Sequence, residues 1–142
     1  MEYIKDGQNY LIRLEKEEEI MTSLQKFMLD EKIPSGLLKG LGALKDVELG
    51  FYELEKKTYI RKKFPPEAEL LSLIGNLSWK EGSTAWPHIH VVLGDANFNA
   101  FGGHLFTAKV AVTVELYLET CSKKVSREFD DITGLHLLRC QC

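Results

Sequence analysis

One stretch of this chain repeats its apolar residues at helical spacing, and nearly everything else alternates. Across residues 15–32, Ile20, Met21, Leu24, Phe27 and Met28 recur with a helical period, acidic residues crowd the expected first turn, and Pro34 with Gly36 stops the run. Before it, Tyr10, Ile12 and Leu14 alternate with Leu11 and Arg13 as in a strand. After it come β-like segments at 36–44, 47–54, 58–64, 69–79, 88–93, 104–119 and 134–140, separated by glycines, Pro65-Pro66 and polar turns. One helix among many short strands predicts the α+β class: a mainly antiparallel sheet that curls or closes, with the helix covering one face or end. No repeat, low-complexity block or Pro/Gly/Ser linker interrupts the pattern, so residues 1–142 are expected to form a single compact domain.

Charge and composition narrow the functional classes. The formal net charge is −3 and the pI about 5.8, so the molecule as a whole repels polyanions unless its basic residues cluster on one surface. Those residues fall at Lys56-Lys57, Arg61-Lys62-Lys63 and Lys123-Lys124 with Arg127, interspersed with acids, and read as solvated faces. No apolar run approaches the roughly 20 residues that cross a bilayer, and residues 1–6 lack the apolar stretch of a signal peptide, which predicts a cytoplasmic protein with no membrane partner. Cys121, Cys140 and Cys142 are odd in number. They suit reduced thiols better than a secreted disulfide framework, and the Cys-x-Cys tail lacks the second ligand pair of a structural zinc site.

The chemistry concentrates near residue 90. In Trp86-Pro87-His88-Ile89-His90-Val91-Val92-Leu93, the strand period of two places His88 and His90 on one face and Ile89 and Val91 on the other. Residues 94–99 are polar and turn-rich, and alternation resumes after Gly102-Gly103-His104-Leu105-Phe106, as in a hairpin. If that hairpin centres near Asn97, His90 faces His104, at the Cβ spacing of about 4.5–5.5 Å that suits two imidazoles on one metal. His88, His90 and His104 are therefore the candidate ligands of a divalent metal ion, with a position left open for water or a small anion. His136, set among Leu135, Leu137 and Leu138, reads as structural. Asp95 is expected in the turn, and Glu115 has the wrong parity relative to His104 unless a bulge intervenes, so neither is assigned as a base. A cupin-like reading of the His-x-His pair fits less well, because the acid that follows, Asp95, lies in a Gly-Asp turn and is not glutamate. The glycines of Lys39-Gly40-Leu41-Gly42-Ala43 lack the spacing of a dinucleotide loop.

Taken together, Pro87-His-Ile-His-Val-Val-Leu-Gly-Asp95, Gly102-Gly-His-Leu105 and Val112-Thr-Val-Glu115 resemble the plant and prokaryote conserved (PPC) domain family. Tyr10-Leu-Ile-Arg-Leu14, Lys39-Gly-Leu-Gly-Ala-Leu44 and Gly75-Asn-Leu-Ser78 extend the resemblance over nearly the whole chain. It implies a compact α+β domain, assembly as a homotrimer, and a metal, usually taken as zinc, held by His88, His90 and His104. Plant members follow an AT-hook and act in transcription, and prokaryotic members are regarded as candidate DNA-binding proteins. An AT-hook inserts an Arg-Gly-Arg-Pro core into the minor groove, and this sequence contains none. The resemblance thus implies a DNA-binding or transcription-associated regulatory module whose own contact with DNA is weak or indirect. The alternative is a metal-dependent enzyme or binding protein for a small polar or anionic molecule.

Overall fold

Alternating apolar residues carry the chain through nine strands and one helix in this computed structural model, which describes residues 1–64, 66–81 and 83–139. In chain order the elements are β1 Glu2–Asp6, β2 Asn9–Glu15, α1 Ile20–Asp30, β3 Ser35–Glu53, β4 Thr58–Phe64, β5 Ala68–Lys80, β6 Thr84–Gly94, β7 Ala100–Cys121, β8 Ser126–Asp130 and β9 Leu135–Arg139. Antiparallel pairs β3–β5, β5–β6, β6–β7 and β7–β3 link into a ring, so the sheet closes on itself. The outer strands β1 and β2 extend it beside β7, and β4 extends it beside β3. Among the described residues only β8 runs parallel to its neighbour, touching β5 at Trp79 and Lys80 before pairing with β9.

The ring is filled from inside. Leu38 and Leu44 of β3, Leu70, Leu73 and Leu77 of β5, Ile89, Val91 and Leu93 of β6, and Leu105, Val110 and Val114 of β7 are all buried. Helix α1 packs against β6 and β7 and adds Ile20, Leu24, Phe27 and Met28 to the same core. Each such side chain contributes roughly 1.5–3 kcal/mol on leaving water. Gly42, at φ 152°, lies where β3 crosses β7, and a Cβ there would drive into the carbonyl of Thr113; the close approach and the bulge between Gly40 and Gly42 both require glycine.

Helix α1 begins later than the periodicity predicts. Glu19 is its N-cap, accepting from the N–H groups of Met21 (3.2 Å) and Thr22 (2.7 Å), so the acidic run precedes the helix instead of filling its first turn. Glu17 takes a left-handed φ of 74° and pairs with Lys45, while Glu18 holds the Met1 amino group at 2.9 Å. The predicted segments 36–44 and 47–54 are one long strand, β3, whose register slips against β7 between Lys45 and Glu48, with Asp46 at φ 52°. Strands β1 and β8 were not predicted. Pro65 and the Cys140 and Cys142 tail lie outside the described residues, and Cys121 is a free, exposed thiol.

Candidate metal centre

The non-core face of the ring carries the histidines. In β6, Ile89 and Val91 point inward, so His88 and His90 point outward, with β5 on one side and β7 on the other. The β6–β7 hairpin has the register expected from the sequence, with His90 directly opposite His104. One ring nitrogen from each of His88, His90 and His104 lies within 4.8 Å of the others, and ring centroids are 5.1–5.4 Å apart. That is a grouping of three imidazole nitrogens that could hold one metal ion.

Two features test whether these residues suit a cation. Nδ1 of His104 is buried without a hydrogen-bond partner, an uncommon and costly condition for a polar atom. Burial pushes His88 and His104 down to about 4, helped for His88 by Arg127 and His90 and for His104 by His88 and His90, so both rings are neutral near pH 7 and offer lone pairs. The donor set and the orphaned nitrogen fit a metal ion held by imidazoles.

Around the histidines stands a shell that the sequence did not single out. Tyr59 of β4 packs on His104 at 5.1 Å between centroids, and Phe106 lies 5.0 Å from the same imidazole with Arg61 over its outer face. Gly50, opposite His104, makes this possible, since a Cβ there would enter the rings of Phe106 and Tyr59. From β8 comes Arg127, only 5% exposed. It donates Nε–H to Ser78 Oγ (2.8 Å), Nη1–H to the His136 carbonyl (2.9 Å) and Nη2–H to Asn76 Oδ1 (2.7 Å), and Nη2 also stands 3.1 Å from Nδ1 of His88. This corrects the reading of Arg127 as part of a solvated basic face: its polar partners come from β5 and β9, which no local pattern reveals. The β8–β9 hairpin arches over this side, tied at its tip by Tyr52 to the Thr133 carbonyl and by Lys57 to the Asp131 carbonyl.

The remaining candidates fall elsewhere. Asp95 closes its own turn, accepting from the N–H groups of Asn97 and Asn99, and these bonds hold its carboxyl below the usual range. The parity of β7 does shift, since Leu105 and then Ala108, Val110 and Val114 face the core, so Glu115 shares the face of His104. It is nevertheless eleven residues away along the strand, on the order of 30 Å, beside Arg13 and Leu41. His136 stays out of the cluster, its ring near Trp86 and Phe129 and its Nε2 3.6 Å from Glu81.

Residues 1–122 match the Plants and Prokaryotes Conserved (PCC) domain. The chain belongs to this family. Among solved structures, a candidate DNA-binding protein from Bacteroides thetaiotaomicron superposes with a TM-score of 0.92 at 29% identity, over 97% of this chain and 96% of that one. A plant- and prokaryote-conserved protein from Pyrococcus horikoshii gives 0.87 at 34% identity, over 96% and 94%. A metal-containing protein from Archaeoglobus fulgidus gives 0.84 at 34% identity, over 96% and 95%. No curated protein matches the chain. The family segment includes all three histidines and ends before Arg127, so the β8–β9 hairpin lies beyond it.

Proposed function

We propose that this PCC-domain protein is a trimeric, transcription-associated assembly module that holds a divalent metal, zinc by preference, on His88, His90 and His104. The observation that carries the metal is the convergence of three ring nitrogens within 4.8 Å, one of the three rings having a buried, unpartnered nitrogen. The Archaeoglobus relative is metal-containing, which agrees. Elemental analysis of protein purified without added metal should find about one equivalent per chain, and His90→Ala should lose it. Equal content in both refutes the assignment.

Self-assembly is supported by the outward face of the sheet. Leu11, Tyr117, Lys39, Ile74, His90 and His104 follow one another as cross-strand neighbours, so the histidines continue directly from an apolar row. Leu11, Leu37, Leu41 and Ile74 are each about half exposed there, and a grouping of exposed apolar side chains is the kind of surface that self-association covers. Light scattering should return three times the chain mass; a monomer overturns this part.

Direct DNA recognition is expected to be weak. Arg61 pairs with Glu48, Lys56 with Glu53, Lys109 with Asp46 and Arg139 with Glu128, so much of the basic surface already faces carboxylates. The Bacteroides relative is a candidate DNA-binding protein, and DNA contact through partners reconciles that with this surface. A second reading, a site for a small anionic molecule at the metal, is favoured by Arg127, a buried cation at hydrogen-bond distance from His88. Among the described residues no helix is long and apolar enough to cross a membrane.

A further inference from the structure

His88 is held in a way that does not suit a histidine already committed to a metal. A neutral imidazole carries its proton on one ring nitrogen and an in-plane lone pair on the other, and a guanidinium can only donate. With Nη2 of Arg127 at 3.1 Å, the lone pair of His88 is on Nδ1 and its proton on Nε2. Metal-bound histidines instead donate their second N–H to a carboxylate, a carbonyl or water. An ion approaching Nδ1 meets the guanidinium on the same lone pair. An ion on Nε2 requires the proton to move to Nδ1, where Arg127 offers nothing to accept it. On either nitrogen, the metal and the Arg127 contact exclude one another.

We propose that Arg127 is an exchangeable partner of this site, capping His88 in the absence of metal and, once metal takes His88, turning its freed Nη2–H to a small oxyanion at the metal's open position. This rests on the metal reading above and names the ligand class of that site. Three anchors keep the guanidinium in place while one bond changes: Ser78 Oγ, the His136 carbonyl and Asn76 Oδ1. Charge points the same way. Three neutral imidazoles leave a divalent ion its full charge, and the guanidinium adds another. Among the described residues, no carboxylate pairs with His88, His90, His104 or Arg127; of the acids at the shell, Glu48 is already paired with Arg61 and Glu81 faces His136. A ligand oxyanion supplies the missing negative charge, and the planar fork of arginine suits it.

Cobalt(II) is the probe, its affinity measured by chelator competition and its coordination by its visible spectrum, with acetate, phosphate or chloride at equal ionic strength. In the wild-type protein an oxyanion should tighten cobalt binding about tenfold, in the ordinary range of coupling between sites, and chloride should not. Acetate and phosphate arms separate a carboxylate from a phosphate ligand. Arg127→Met should bind cobalt more tightly than wild type without anion and lose the oxyanion effect. An oxyanion effect of equal size in both proteins overturns the proposal while leaving the metal site standing. No cobalt binding to wild type removes the metal reading and the proposal together. Should Arg127→Met not fold, the wild-type chain decides. Ring-nitrogen NMR of the metal-free protein must show the His88 proton on Nε2, and a proton on Nδ1, or no oxyanion effect on cobalt affinity, overturns the proposal.

Discussion

Helix α1 and the β8–β9 hairpin both cover the strand ring, and they are held there by different forces. The helix is held by burial: Ile20, Leu24, Phe27 and Met28 are at most 1% exposed. The hairpin buries little that is apolar, with Phe129 at 59% and Ile132 at 82% exposed, and it meets β5 over two residue pairs. Its attachments are polar: Arg127 at the base, Tyr52 and Lys57 at the tip. An apolar contact has no second partner to choose, whereas a hydrogen-bond donor can be taken over by another acceptor. The covering that can respond to a ligand is therefore the one over the histidines.

The largest effect should come from the helix side. Phe27 is buried and meets Tyr3 and Tyr10 edge to face, at 5.1 and 5.2 Å. Phe27→Ala should cost about 3–5 kcal/mol in urea unfolding, with the whole ring lost in one transition. A loss under about 1 kcal/mol would break the contrast, since the helix would then be no more committed than the hairpin.

Next in size is a pH effect on the histidine side. His88 and His104 titrate near 4 in the folded protein against 6.5 in the unfolded chain, so between these values the unfolded chain binds more protons. Stability from these rings is complete above pH 6.5, falls as pH drops through the window, and levels off below about 4. Urea midpoints of metal-free protein should show this slope, and His104→Gln should flatten it. Identical slopes in the two proteins would mean that His104 does not titrate as a buried, neutral ring.

What could be read in advance follows the range of the interactions involved. His88, His90 and His104 converge through a strand period and one tight hairpin, both local, so the sequence suffices to place them on one face. Strand β4 was legible end to end for the same reason. Strand β1 carries no sequence signal because all five of its residues are exposed and show no alternation, and its pairing with β2 is what makes it a strand. Strand β3 reads as two segments because its bulges reverse the parity. Arg127 reads as a solvated base because Ser78 and Asn76 are 49 and 51 residues away. Nothing beside it in the chain marks it as a buried donor.

A smaller effect returns to the helix, at the polar attachment of its N-terminus. Burial works to raise the Glu19 carboxyl, but N–H donors from Thr22, Met21 and Ala108 outweigh it and hold the group below its usual range. The same carboxylate accepts from the Thr107 hydroxyl at 3.1 Å, so it caps α1 and docks it on β7 together. Glu19→Ala should cost about 0.5–2 kcal/mol by thermal or urea unfolding, with no change in metal content. Loss of metal in this variant would show that the two coverings are coupled.

The smallest effect should be the most local. Tyr52 donates its hydroxyl proton to the Thr133 carbonyl, and Tyr52→Phe removes that bond while keeping the ring against Tyr59, 4.8 Å away. One such bond contributes about 0.5–1.5 kcal/mol, small beside the stability of a domain. If the hairpin is held by separate polar ties, the loss falls on its own opening equilibrium. Amide exchange in β8 and β9 should then quicken by roughly two- to tenfold, while β5 and β7 exchange as before and the urea midpoint barely moves. If the hairpin instead unfolds only with the ring, exchange rises equally in every strand and the midpoint shifts. Since Arg127 is carried on that hairpin, local opening would also loosen its contact with His88, and the variant's metal affinity should rise slightly without anion.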